Sequence, residues 1–240
     1  MSDPHNSAPV RIALVGATGL VGRRVIEVAS SGDDVRIVGI ARREAPLPPG
    51  ARMEMFVSDP QRWGEVFDAL SPRALICALG TTWKKAGRDE SAFRSVDHDL
   101  VIATAEAAKR AGIANMVMVS AAGADARSKT LYMRVKGETE NALSRIGFKR
   151  LDILHPGLLR GTRQGDLRLA ERAAIIAAPL IDPLLAGSWA RFRSIDAGLV
   201  AEAALGLALR RAGGRFTHDN EAMRRAAREW RRINDTEDAA

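Results

Sequence analysis

The sequence predicts an α/β fold built on a doubly wound parallel sheet, and three observations carry that prediction. The run Val10 to Val15, apolar except for Arg11, reads as a strand buried on both faces. Directly after it comes Gly16-Ala-Thr-Gly19-Leu-Val-Gly22, and then Leu20, Val21, Val25, Ile26, Val28 and Ala29 fall three to four apart, so a strand period gives way to a helix period. Further along, short apolar runs keep alternating with helical patterns, the order that produces parallel strands joined by crossover helices.

The first unit, strand, glycine turn and helix, sets the chemistry. A helix start leaves backbone N–H groups unpaired and carries the positive end of the helix dipole, which makes it an anion site. A pyrophosphate fits there, held by the backbone around Gly16, Thr18, Gly19, Leu20, Val21 and Gly22. Gly16 permits the tight turn, Gly19 lets a phosphate approach the backbone, and Gly22 lets the helix pack close on the sheet. The spacing is G-x-x-G-x-x-G rather than G-x-G-x-x-G.

Val35 to Ala41 reads as the second strand and ends at Arg42-Arg43, twenty residues after Gly22. An acidic side chain at that point would accept from the ribose 2′-OH of NAD, and none is there. Two guanidiniums suit a 2′-phosphate instead, so the expected cofactor is NADP, with NADPH preferred over NADH. Glu44 to Arg52, with Pro46, Pro48, Pro49 and Gly50, is a loop beside that site. Met53 to Val57 makes a third strand. Asp59 then stands either where an adenine would lie or as the N-cap of a short helix over Gln61 to Leu70.

A fourth strand, Ala74 to Leu79, runs into Gly80-Thr81-Thr82-Trp83-Lys84. Loops after the carboxyl ends of strands face the ligand crevice in such sheets, which places Leu79, Gly80, Thr81 and Thr82 near the cofactor. Ser91 to Ala111 reads as one long helix, Met116 to Val119 as a fifth strand, and Ser120 stands at its end. Tyr132 and Lys136 lie within the helical pattern Leu131 to Leu143, and a spacing of four puts them on one face. A phenol that protonates a carbonyl oxygen must give up its proton easily, and a neighbouring ammonium favours the phenolate. Ser120 could donate to the same oxygen, and Lys136 could also hold ribose hydroxyls.

Leu151 to Leu154 is a sixth strand, followed by His155-Pro156-Gly157-Leu158, where proline and glycine force a turn at the crevice. His155, at a strand end beside proline, reads as a packed, hydrogen-bonded histidine. Beyond Arg160 helical segments interrupted by Pro179 and Pro183 suggest a small, mostly helical substrate-capping region formed by residues 158–195 and the C-terminal helices. Its helices would run over Asp166 to Ala178, Asp196 to Arg211 and Asp219 to Ile233, each capped by its aspartate. Gly187 to Ile195 brings together Trp189, Arg191 and Arg193, either facing the crevice or on an exposed loop.

Composition narrows the class. The chain has 240 residues and 46% apolar content, enough for a single domain over residues 10–240 behind a polar tail, Met1 to Pro9, that does not read as a secretory signal. No run approaches the ~18 to 20 apolar residues of a membrane span. The lone Cys77 sits in an apolar run and, with no partner for a disulfide, suggests a cytoplasmic protein. The net charge of +7 peaks at Arg224, Arg225, Arg228, Arg231 and Arg232, but these divide between two helix faces and are diluted by Glu221 and Glu229. A small-molecule substrate is therefore expected rather than a specific nucleic acid, with no metal, and homodimer formation left open.

Gly16-x-x-Gly19-x-x-Gly22 followed by Tyr132-x-x-x-Lys136 resembles the atypical branch of the short-chain dehydrogenase/reductase superfamily. The likeness extends through Cys77-Ala-Leu-Gly-Thr-Thr-Trp-Lys-Lys-Ala-Gly87, Val96-Asp97, Ser120-Ala-Ala-Gly-Ala-Asp125, Lys136-Gly-Glu-x-Glu140, Pro156-Gly157 and Arg163. These stretches are similar to the oxidoreductases related to the Tat-interacting protein and to their bacterial relatives. The resemblance implies an NADP-binding Rossmann-type fold, a Ser120, Tyr132, Lys136 active site, and a turn at Pro156, Gly157 and Leu158 over the nicotinamide. Relatives tend to carry a second serine after the first, where this chain has Ala121. Three functions follow from the set: a reductase of a carbonyl or quinone, a nucleotide-sugar epimerase or dehydratase, and a non-catalytic NADP sensor or regulator. The 83 residues after Gly157 in the chain of 240 are few for a whole nucleotide-sugar, which favours the reductase.

Overall fold

A computed structural model describes residues 8–44, 47–48, 50–51, 53–161 and 187–237. Seven strands, Val10–Val15 (β1), Val35–Ala41 (β2), Met53–Val57 (β3), Ala74–Cys77 (β4), Asn115–Val119 (β5), Arg150–Leu154 (β6) and Gly214–His218 (β9), pair in parallel in the order β3-β2-β1-β4-β5-β6-β9. Leu159–Arg160 (β7) and Ile195–Asp196 (β8) form a separate parallel pair. The order reverses between β2 and β4 on either side of β1, and in a doubly wound sheet that reversal opens the ligand crevice at the carboxyl ends. Register aligns Val15 with Ile40 on one side and with Cys77 on the other, so the three strand ends meet there.

Alternation along β1 divides the core. Ile12 and Leu14 pack with helices α1 (Leu20–Ala29), Ala197–Ala208 (α6) and Asn220–Glu237 (α7), while Ala13 and Val15 pack with Trp63–Leu70 (α2), Leu100–Arg110 (α4) and Leu131–Ile146 (α5). The C-terminal helices are present as expected, and both lie on the sheet with α1. Trp230 closes against Gly206, where an added Cβ would meet the Trp230 Cβ at 3.4 Å. Asp196 caps α6 through the N–H of Gly198 at 2.8 Å, and Asp219 accepts from Ala222 at 2.8 Å in the first turn of α7. The helix expected over Asp166 to Ala178 lies outside the described residues. No helix among the described residues is long and apolar enough to cross a membrane.

Two expectations are corrected, and one strand is additional to those expected. β4 stops at Cys77 rather than Leu79: β1 ends at Val15, so beyond the Ala78 N–H bond to the Val15 carbonyl it offers no further partner. The single helix expected over Ser91 to Ala111 is instead Glu90–Arg94 (α3), a π turn at Ser95–Asp99, and α4. That turn carries Asp97 inward to complete burial, which an unbroken helix would not require. The last strand, β9, has no apolar signature in Gly214–His218 and is secured by polar groups: the Arg150 guanidinium forks onto Asp152 at 2.6 and 2.8 Å, and His218 Nε2 contacts the same carboxylate at 2.8 Å. Arg150 also lies 4.4 Å over the Phe216 ring.

Candidate cofactor and active site

The glycine turn is built for close approach. Gly16 has φ of +90° and an added Cβ there would lie 2.4 Å from Ala78 of the neighbouring strand end, so only glycine lets β1 turn beside β4. At Gly22 an added Cβ would be 2.2 Å from the Gly16 carbonyl oxygen, which shows that this glycine packs the helix onto its own turn rather than onto the sheet. Helix α1 starts after Gly19 with no side-chain cap and no acidic residue in its first turn, so its positive end is left for a ligand. Leu20 and Val21 bury their side chains in the core and can offer only backbone N–H groups, while Thr18 is exposed at the turn. A cradle that any side chain would fill, ending in uncapped N–H groups, fits a dinucleotide pyrophosphate.

Arg42 and Arg43 follow β2 at the same edge and are exposed. Beside them Ser58 donates its N–H to Ala41, and its hydroxyl oxygen is buried without a hydrogen-bond partner among the described residues. The Asp59 side chain accepts from Gln61 N–H at 2.9 Å as the cap of the Pro60–Arg62 turn, the structural one of its two readings. After β4, Leu79 and Thr82 are half-buried and Gly80 is exposed, and Thr81 donates its N–H to Asp97 at 2.7 Å.

Asp97 is the residue that the sequence reading left without a role. Its carboxylate stands 2.9 Å from the Lys136 ammonium, and both side chains are nearly sealed from water, at 0% and 4% exposure. Burial is the largest single influence and works against the charged lysine, but the Asp97 charge, Tyr132, the hydrogen bond to Asp97 and Cys77 together outweigh it and raise the Lys136 pKa. Thr139 fastens the same turn by donating to the Asp97 carbonyl at 3.0 Å. Tyr132, one turn before Lys136, is partly exposed at 38%, with its ring 5.9 Å from Phe93. Cys77 lies beneath the pair, fully buried, and burial pushes its thiol up to about 11.

Ser120, at the end of β5, is buried, and its hydroxyl donates to Glu140 Oε1, two turns beyond Tyr132 on α5. His155 Nε2 shares that oxygen at 2.9 Å, which agrees with a packed, hydrogen-bonded histidine. The sequence signal for Glu140 was only its place in Lys136-Gly-Glu-x-Glu140. Gly137 allows the β5–α5 loop to lie against the helix, since a Cβ there would be 2.2 Å from Ala126 N. A polar cavity of about 520 Å³ lies along this loop, lined by Asp125, Arg127, Glu140, Asn141 and Arg191.

The turn after β6 is held from behind. Pro156 accepts from Ala122 N–H at 2.9 Å, and Asn220 bridges Gly157 and Arg193, accepting from the Gly157 N–H at 3.1 Å and donating to the Arg193 carbonyl at 2.7 Å. Leu158 is exposed beside it. Gly187–Phe192 forms a 3₁₀ helix, with the Arg191 guanidinium 4.9 Å over the Phe192 ring; the Trp189 side chain lies outside the described set.

A family model described as NAD(P)H-binding matches residues 16–175, from the glycine turn past the Lys136 helix. The chain belongs to this NAD(P)H-binding family. Proteins named "Protein fmp52, mitochondrial" are 34% identical over 222 residues in Emericella nidulans, covering 88% of this chain and 93% of that protein, and 33% identical over 202 residues in Candida albicans, covering 81% and 86%. Among solved structures, the UDP-glucose 4-epimerase of Thermotoga maritima with UDP-glucose shares the fold at a TM-score of 0.67 and 12% identity, covering 94% of this chain and 83% of that one. MoeE5 in complex with UDP-glucuronic acid and NAD does so at 0.65 and 16%, covering 87% and 75%. The family match and these relatives bear out the resemblance to the short-chain dehydrogenase/reductase superfamily, and the solved structures share its fold. They also overturn the cytoplasmic expectation, because the relatives are named as mitochondrial proteins. The inference failed for a physical reason: a lone cysteine completely buried in the core reports packing, not compartment.

Proposed function

We propose that the chain is an NADPH-dependent oxidoreductase that reduces a carbonyl or quinone-like small molecule, with Tyr132 as the proton donor. The observation that carries this reading is the stripe on α5: a partly exposed phenol one turn from an ammonium that a buried Asp97 keeps charged, at the carboxyl edge of the sheet. When bound, the cofactor supplies hydride to the carbonyl carbon. The Tyr132 phenol gives its proton to the oxygen, and the nearby Lys136 ammonium stabilises the phenolate left behind. Ser120 is the second donor to that oxygen.

The Gly16 to Gly22 turn would hold the pyrophosphate and Arg42 with Arg43 the 2′-phosphate, since guanidinium forks match phosphate geometry. Leu79, Gly80, Thr81 and Thr82 line the approach to the nicotinamide, with Pro156, Gly157 and Leu158 on the opposite side. Asp59, which caps the Pro60–Arg62 turn, would lie beside the adenine at the sheet edge. The fold likeness to UDP-glucose 4-epimerases favours a second reading as a nucleotide-sugar epimerase, which would use the same acid.

The test is NADPH consumption across a panel of quinones, aromatic aldehydes and nucleotide-sugars, with the wild-type protein and Tyr132→Phe. Turnover of a simple carbonyl that falls at least a hundredfold in the variant, within the ~10² to 10⁴ of a general acid, supports the reading. Turnover unaffected by loss of the phenol removes Tyr132 as the acid, and activity confined to nucleotide-sugars moves the assignment to the epimerase.

A further inference from the structure

We propose that Glu140 is a positioning residue that controls the direction of the Ser120 hydroxyl. With Glu140 charged, the hydroxyl proton is held on the carboxylate; with Glu140 neutral, it is released toward the reacting oxygen. This inference rests on the reductase reading, in which Ser120 donates to the substrate oxygen.

The argument is one of counting protons. A serine hydroxyl carries a single hydrogen, and here it is directed at Glu140 Oε1. While that bond is made, Ser120 turns only lone pairs toward the crevice, which would repel the partial negative charge of a carbonyl oxygen. His155 Nε2 contacts the same Oε1 at 2.9 Å, so the carboxylate oxygen is served from two sides and the acceptor is fixed in place. Protonating Glu140 reverses the bond: the carboxylic acid O–H donates to Ser120 Oγ, and the serine hydrogen rotates away from it. No covalent bond to serine forms or breaks. The carbonyl carbon still receives hydride from the cofactor, and its oxygen still takes its proton from Tyr132.

The surroundings allow Glu140 to exchange protons with water. It lines the 520 Å³ cavity, and its side chain is 15% exposed, unlike the sealed Asp97. The charged and titratable groups around it are Lys136 one turn earlier on α5, His155 from the end of β6, Asp125 and Arg127 from the β5–α5 loop, and Arg191 from the 3₁₀ helix. Lys136 is engaged by Asp97 and Arg127 stands 3.7 Å from Asp125, which leaves His155 as the group in direct contact.

The experiment measures kcat against pH for reduction of menadione and of the aldehyde panel by NADPH, in wild type, Glu140→Gln and Ser120→Ala. Wild-type kcat should fall as pH rises and then level off at the Ser120→Ala rate, because only the Ser120 hydrogen bond is withdrawn. Glu140→Gln, whose amide does not change charge with pH, should lack this limb, and any limb belonging to another group is common to all three proteins. Ser120→Ala should also lack it, at a lower plateau, and decides the matter if Glu140→Gln fails to fold by circular dichroism. A limb of the same position and slope in wild type and both variants, or no such limb in wild type, overturns the role of Glu140 alone. No turnover of any carbonyl by wild type overturns the reductase reading and this inference with it.

Discussion

Replacing Asp97 with asparagine leaves the Lys136 ammonium buried opposite a neutral amide. The pair is 2.9 Å apart with both side chains almost fully enclosed, so neither water nor a second carboxylate among the described contacts can take over. Removing one partner of such a pair costs about 3 to 5 kcal/mol, against a total stability of about 5 to 15 kcal/mol. At roughly 2 to 4 °C per kcal/mol for a chain of this size, the melting temperature should fall by roughly 6 to 20 °C. The pH dependence supplies the sharper test. The Lys136 pKa stands above the ordinary 10.5, so the pair's contribution in wild type is fully present below pH 10.5 and is lost as pH rises through the higher folded value. In Asp97→Asn the desolvation that opposes charge remains while its counterweight is gone, so the folded pKa drops below 10.5. The unfolded chain then binds more protons in that window, and the variant should gain stability as pH rises toward 10.5. Urea unfolding at a series of pH values reads both effects. A cost under 1 kcal/mol with a flat pH profile would refute the reasoning. Adding Lys136→Met should recover much of the loss, because the uncompensated charge is removed.

Two further outcomes follow from close contacts. Gly22→Ala places a methyl 2.2 Å from the Gly16 carbonyl oxygen, which must displace the turn; NADPH affinity by calorimetry should fall at least tenfold, with about 1 to 3 kcal/mol of overpacking cost in unfolding. Asn220→Ala strands the Gly157 N–H and removes the donor to the Arg193 carbonyl, at about 1 to 3 kcal/mol for a group left unsatisfied. Asn220→Asp, which keeps the acceptor, should retain the Gly157 contact and lose only the Arg193 one, so unfolding midpoints should order wild type, Asp, Ala.

What could be read from the chain was what repeats locally. The β1 run, its glycines and the period of α1 all lie within some twenty residues, and Tyr132 with Lys136 needs only helical spacing. The groups that tune the site were hidden because their partners are distant in sequence. Asp97 meets Lys136 across 39 positions and only because a π turn interrupts the helix. Glu140 entered only as part of Lys136-Gly-Glu-x-Glu140, where nothing set it apart from Glu138, which pairs half-buried with Arg94 at 2.6 Å. β9 could not be found from hydrophobic pattern, since an arginine, an aspartate and a histidine fix it to β6. Ser120 was placed correctly at the end of its strand, but the carboxylate that accepts from its hydroxyl comes from the middle of the next helix.

The central claim, that this is an NADP-directed site built from a glycine turn and two arginines, is tested most directly by calorimetric titration of NADPH and NADH into wild type and into Arg42→Ala/Arg43→Ala. The account predicts NADPH binding at least tenfold tighter than NADH in wild type, a difference of about 1.4 kcal/mol or more, with most of that gap lost in the double variant and NADH affinity little changed. Equal affinity for the two cofactors in wild type, or a preference that survives loss of both arginines, would contradict it.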